Sequence, residues 1–399
     1  MTTKPPPDWR ETTVRRVLRP LDRPARSGLG VITAYRDGTV TLRSNRREDG
    51  YTFSDTENGY QEIRPGDLVF HALDGFAGAV GVSDSQGNGS PVYHVCEPVA
   101  GDDPAYLARL LRLLGTSGFL ATQAPNVRER SVDFRNWGTF ARMPLVLPPA
   151  DEQRSIVDYL DRETDRIDTL IEEQQRLIEL LHERRHALVD RAFDTRPPNT
   201  RLQHACTDVV DCPHTTPEVA DDGVYEAVRT ASVRNGKFRP GNGLPVSAET
   251  WEARNAGGAP SVGDVLFTRE APAGEACMVP NEQICLGQRM VLLRINDAVC
   301  VGEFLLWQIY SDRVQDHFLL SANGSTVANV RLPILRTTPI WLPSLAEQRQ
   351  IVTYLDEQTT KIDELVSETE QFIELARERR SAVITAAVTG QIDVREAAA

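Results

Sequence analysis

The side chains in this 399-residue chain that could carry chemistry exclude more reactions than they permit. A phosphate-cradling loop needs Gly-Lys-Ser/Thr, because the lysine meets the phosphates and the hydroxyl holds Mg2+. Gly236-Lys237 is followed by Phe238, so that loop is absent. A nuclease of the Asp…Glu-x-Lys kind needs a lysine two residues after an acid. Lys4, Lys237 and Lys361 have Thr2, Asn235 and Thr359 at that spacing. Amino-methyltransferases flank the target base with Asp/Asn-Pro-Pro-Tyr, and neither Pro148-Pro149 nor Pro197-Pro198 sits in that setting. No G-x-G-x-x-G cofactor loop and no G-x-S-x-G elbow occurs. One cluster, Cys206, Cys212 and His214, has metal-ligand residue types. Structural zinc favours tight C-x2–4-C pairs and four ligands, and Cys277 and Cys285 do not complete the set. These thiols read as buried small side chains, and neither a metal nor a cofactor is expected.

What remains is arginine. Of 44 basic residues only three are lysine. A guanidinium fork matches phosphate and the guanine edge better than an ammonium does. A GC-rich genome would produce the same bias. The formal net charge of −13 argues against simple polyanion binding, but the acidity is uneven. Residues 1–150 carry +1, 151–196 carry −5, 197–341 carry −4 and 342–399 carry −5. The charge leaves room for a DNA face outside the two short acidic segments, where the net charge is near zero or mildly negative.

Those segments are a repeat. Residues 147–190 and 342–385 align without a gap at an offset of 195, with 22 identities in 44 positions. Both read as long helices, lacking internal Gly or Pro. Leu160, Ile167, Leu170, Leu177, Leu181 and Leu188 fall on an a/d seam, as do Leu355, Ile362, Leu365, Phe372, Ala376 and Val383. Polar residues interrupt the seam at matching places, Gln174 with Thr369 and Glu163 with Gln358. Ser344-x-x-Glu347 is a capping box, where the first helix has Pro149 instead. Pro197-Pro198 and Gly390 end the two helices. Neither amphipathic helix can bury its own stripe, so the two are expected to pair antiparallel.

The intervening segments repeat more faintly. RPGDLVF at 64–70 and SVGDVLF at 261–267 each read as a turn entering an apolar strand. Helical runs at 106–114 and 304–310 follow, then strands leading into Leu-Pro at 143–149 and 338–344. The length exceeds one core, and the order is domain, helix, domain, helix. No run of about 18 apolar residues is present, so no membrane span is expected. The N-terminal MTTKPPPDWRE does not read as a signal peptide, and six scattered cysteines fit a reducing cytoplasm.

The two LP-x-x-x-EQR-x-IV-x-YLD helices resemble the conserved regions of type I restriction-modification specificity subunits. DCPHTTPEVADDGVYEAVRTASVRNGKF at 211–238 resembles the opening of a target recognition domain of that family, and GSTVANVRLPIL at 324–335 its late portion. Residues 1–146 fit less closely and have no counterpart to His-Thr-Pro. The resemblance implies an α/β fold, with two recognition domains separated by two long helices in an antiparallel coiled coil. It places recognition domains at 1–146 and 197–341, the central helix at 147–196, and the C-terminal helix and tail at 342–399. It further implies a non-catalytic subunit that reads a bipartite, asymmetric site in double-stranded DNA. Two methyltransferase subunits, for adenine methylation, and through them restriction/translocase subunits are its implied partners. A related anti-phage defence system with other effectors is the alternative.

DNA contacts are expected from Arg46, Arg47, Arg128, Arg130 and Arg135 in the first recognition domain. In the second they are expected from His214, Thr215, Arg229, Arg234, Arg269, Asn323 and Arg331. For each of these arginines the competing reading is a solvated surface or an ion pair within the domain.

Overall fold

The computed structural model describes residues 6–46, 59–99, 101–124, 127–128, 131–321 and 329–397. The chain forms two compact units, Met1–Glu173 with Phe372–Ala399, and Gln174–Gln371. Two helices of 44 residues each, Ala150–Phe193 and Leu345–Val388, contribute a part to both.

In the first unit a four-stranded antiparallel sheet runs, in spatial order, Leu18–Pro20, Tyr93–Pro98, Leu68–His71 and Val80–Val82. Gly66, at φ +92, makes the turn that leads into the LVF strand. Side chains alternate along that strand, so each face meets a different set of partners. Leu68 and Phe70 join the cluster holding Tyr106, Leu107 and Leu111, whereas Val69 joins Ile32, Val40 and Val95 on the other face. The helix Pro104–Thr116 covers the first of these. It starts there because Asp103 accepts from the N–H groups of Ala105 at 2.8 Å and Tyr106 at 3.0 Å, with Pro104 in the first turn. Its buried stripe of Tyr106, Leu107, Leu110, Leu111 and Leu114 is worth about 1.5–3 kcal/mol per large side chain. The Leu-Pro strand Pro144–Leu147 pairs antiparallel with Arg10–Thr13.

The second unit repeats the plan. Its sheet runs Cys206–Asp211, Met290–Ile295, Val265–Thr268 and Ala276–Met278, again antiparallel. Val265 and Phe267 face one cluster and Leu266 the other. Gly263 turns at φ +102, and the helix Gly302–Ile309 takes the place of Pro104–Thr116. Pro339–Ile340 pairs with Thr200–Arg201. A two-residue hairpin joins Val233–Arg234 to Lys237–Phe238 through Asn235-Gly236, both at positive φ. Both globular segments are thus α/β, as expected.

The long helices pair antiparallel in each unit. In the first, Arg380 Nη2 donates to Asp168 at 3.0 Å, and Ile156 and Leu160 share a core with Ala387 and Val388. In the second, Arg185 pairs with Asp363, and Val189 and Phe193 share a core with Leu355. At the offset of 195 these are the same ion pair made twice, with the helices exchanging roles. The seam itself differs from the sequence expectation. Ile171, Thr359 and Ile373 are buried, while Leu170, Leu177, Leu365 and Phe372 are among the exposed large apolar residues. The second seam position lies four residues after the first, not three. Thr369 is tolerated in the seam because its hydroxyl donates to Leu365 O at 2.7 Å.

The duplicated glutamines fasten each helix start to its recognition segment. Gln153 Oε1 accepts from Asp103 N–H at 2.8 Å while Nε2 donates to Pro148 O at 3.0 Å. Gln348 Oε1 accepts from Val301 N–H at 2.8 Å while Nε2 donates to Pro343 O at 2.9 Å and Val299 O at 2.8 Å. Both side chains are fully buried. The first helix ends under the guanidinium of Arg313, which donates to the Asp194 and Arg196 carbonyls. The second ends at Gly390, φ +70, with Gln391 N–H returning to Ala386 O at 2.8 Å. No helix among the described residues is long and apolar enough to cross a membrane.

Candidate nucleic-acid interface

In the second unit, the loop after strand Cys206–Asp211 brings His214 and Thr215 to the surface. His214 is exposed, with Nε2 3.3 Å from Asp211. The same carboxylate receives Arg269, whose Nη1 lies 2.8 and 2.9 Å from its two oxygens. With a side chain only 16% exposed, Arg269 braces the loop from beneath. Thr215 is held by Arg254, which donates to its carbonyl at 2.6 Å. Beside this loop lies a groove of about 490 Å3 lined by Thr216, Arg229, Thr230, Gln288 and Arg289. Arg229 is exposed and donates from Nε to Asn242 O at 3.1 Å.

Gln288 and Arg289 were not singled out by the sequence. Arg289 stands at φ +67 and Ala271, which also lines the groove, at φ +55. Such backbone costs on the order of 1 kcal/mol or more for a residue with a Cβ, and it gathers at functional sites. Arg289 N–H is held by Cys212 Sγ at 3.1 Å and its guanidinium by Glu270 at 2.6 Å. Gly287 is required because a Cβ there would meet Val228 O at 2.3 Å. No residue type announces a left-handed arginine, so spacing alone could not have found it.

The remaining arginines scatter. Arg234 lies 3.8 Å from Glu275. Arg331 is exposed at the start of helix Leu332–Thr337. In the first unit, Arg46 pairs with Asp37 at 2.6 Å and lies 4.6 Å from the Tyr35 ring centre. Arg135 forks onto Asp133 at 2.8 and 3.0 Å. Arg47, Arg130 and Asn323 lie outside the described residues, as does the side chain of Arg128. The structure therefore brings His214 and Arg269 together on Asp211, with Thr215 in the same loop and Arg229 on the adjoining groove, whereas Arg46 and Arg135 belong to the other unit.

All six cysteines are free and buried, and burial pushes the Cys206 thiol up to about 12. Among the described residues Cys206, Cys212 and His214 do not converge as metal ligands. His186, Asp190 and Asp312 do come within 4.8 Å of one another. His186 Nε2 meets Asp312 at 2.7 Å, a hydrogen bond that ties helix Asp312–Ser321 to the long helix.

Residues 211–375 match the family model for the type I restriction modification DNA specificity domain. No curated protein matches the chain. Among solved structures, a chain from work on complex assembly and conformational transition of the type I R-M system superposes with TM-score 0.73 at 18% identity, covering 98% of this chain and all of that one. The HsdS subunit from Thermoanaerobacter tengcongensis superposes with TM-score 0.61 at 20% identity, covering 98% and 99%. The resemblance read in the helices and in 211–238 therefore holds. The chain shares the fold of these two structures, and its residues 211–375 match the type I restriction modification DNA specificity domain.

Proposed function

We propose that this chain is the DNA-reading, non-catalytic subunit of a type I restriction-modification complex, with each recognition domain reading one half of a bipartite, asymmetric site. The observation that carries the reading is the specificity-domain match, which falls on one copy of a duplicated plan of sheet, helix and long helix. The recognition domains are assigned to 1–146 and 197–341, with the helices at 147–196 and 342–399. The helices space the half-sites and dock two methyltransferase subunits, which methylate adenine and through which restriction subunits join. Base contacts come from the loops at His214 and Thr215 and from Arg229, Arg234 and Arg331. In the first domain they come from Arg46, Arg47, Arg128, Arg130 and Arg135, and Asn323 completes the set in the second. Arg269 acts by holding the His214 loop in place. Base-edge contacts from such loops discriminate by about 1–3 kcal/mol each, whereas phosphate contacts only set position.

The test is methylation of a random-sequence library by the cognate methyltransferase subunit with and without this chain. The expected result is one split motif that appears only when the chain is present. A motif that persists without the chain, or methylation by the chain alone, overturns the reading.

A further inference from the structure

A cavity of about 800 Å3 in the first unit lies where the helix Pro104–Thr116 faces the paired long helices. Four arginines line it, Arg109, Arg112, Arg377 and Arg380, against two acids, Asp37 and Asp168. Three of the four are already engaged. Arg109 pairs with Asp161, Arg377 with Glu374 at 2.5 Å and Arg380 with Asp168. Asp37 is taken by Arg46. Arg112 is half-buried and makes no ion pair among the described residues, and its Nε is sealed from solvent with no hydrogen-bond partner among them. It is admitted by Gly38, where a Cβ would stand 3.0 Å from Arg112 Cδ. Burial, and then the nearby Arg380, push its pKa below the ordinary arginine value.

The duplication supplies a control. In the second unit the matching helix residues, Arg185 and Asp363, line a cavity of about 910 Å3. There Arg185 and Lys237 both pair with Asp363, and Glu275, Glu303 and Asp356 also line the wall. The helix ion pair is kept in both units, but the balance of charge is reversed. The excess of cation in the first unit is therefore not inherited from the packing of the helices.

A guanidinium N–H shut off from water without an acceptor is costly, and a group with several acceptor oxygens and at least two charges removes that cost. We propose that this cavity binds the phosphate groups of a small molecule, with Arg112 as the principal contact and Arg380 as the second. Inorganic pyrophosphate and the polyphosphate end of a nucleotide share this chemistry.

The test is thermal unfolding and titration calorimetry of the full chain with pyrophosphate and, separately, ATP, each at constant ionic strength set with chloride. Pyrophosphate is expected to raise the melting temperature by on the order of 5 °C near 100 times its dissociation constant. Equal affinity for ATP means that only the phosphates are gripped, and tighter ATP binding means that a nucleotide is the natural occupant. Both outcomes support the site. Arg112→Met is expected to melt no lower than wild type without ligand, because it removes an N–H shut off from water without an acceptor, and to bind at least about tenfold more weakly. Arg112→Lys keeps the charge but loses the planar fork, so it binds with intermediate affinity even if the methionine variant does not fold. No shift in wild type, an equal shift in the variants, or a lower unliganded melting temperature in a folded Arg112→Met overturns the proposal.

Discussion

Replacing Gln348 by methionine keeps length and volume but removes every polar contact of the side chain. Val301 N–H, bonded at 2.8 Å, loses its acceptor, and the carbonyls of Val299 and Pro343, at 2.8 and 2.9 Å, lose their donor. The side chain is fully buried, so water does not readily replace these bonds. A buried backbone group left unsatisfied costs about 1–3 kcal/mol, and a carbonyl less when other partners remain. The expected loss is about 2–5 kcal/mol, a large fraction of the roughly 5–15 kcal/mol that holds a typical fold. Urea unfolding reads it as a lower midpoint with an unchanged slope. Gln153→Met should cost a similar amount, because Asp103 N–H and Pro148 O are orphaned in the same way. Asp102, whose Oδ1 also accepts from Gln153 Nε2 at 2.7 Å, is partly protected, since Arg10 still donates to both of its oxygens. A loss under about 1 kcal/mol at both sites would refute the view that these two side chains hold the helix starts in place.

Two further predictions follow from the same geometry. Burial pushes the pKa of His94 and His71 down, so the folded chain holds them neutral where the unfolded chain, near 6.5, is already taking up protons. Stability should therefore be full above about pH 7 and fall as pH drops through 6.5 toward the folded values, and His94→Gln should flatten the slope seen in urea midpoints between pH 5 and 7. Inserting four residues into one long helix adds about 6 Å of rise and should lengthen or shorten the spacer of the methylated motif by one or two base pairs without changing its half-sites. An unchanged spacer with DNA binding intact removes the helices as the ruler.

Much of the fold was legible because the signals are local. Freedom from Gly and Pro, with the stops at Pro197 and Gly390, places both long helices within three residues of Ala150–Phe193 and Leu345–Val388. The turn-then-apolar pattern of PGDLVF and VGDVLF located one strand of each sheet. The seam was misassigned by one position because leucines at 170 and 177 fit a three-residue step as well as Ile171 fits a four-residue step. Only the partner helix decides between them. The site was less legible for a different reason. Whether an arginine is free or braced depends on an acid distant in sequence, as with Arg269 and Asp211, 58 residues apart. Arg289 depends on a backbone conformation that its residue type does not favour, and Arg112 on having no ion-pair partner among the described residues where three neighbouring arginines have one.

The central claim is that each globular unit reads its own half of the site. Replacing residues 201–341 with the second recognition domain of a type I specificity subunit, followed by methylome sequencing of cells that also carry the methyltransferase, tests it most directly. The account predicts that one half of the methylated motif changes while the other half stays as it was. Simultaneous change of both halves contradicts it.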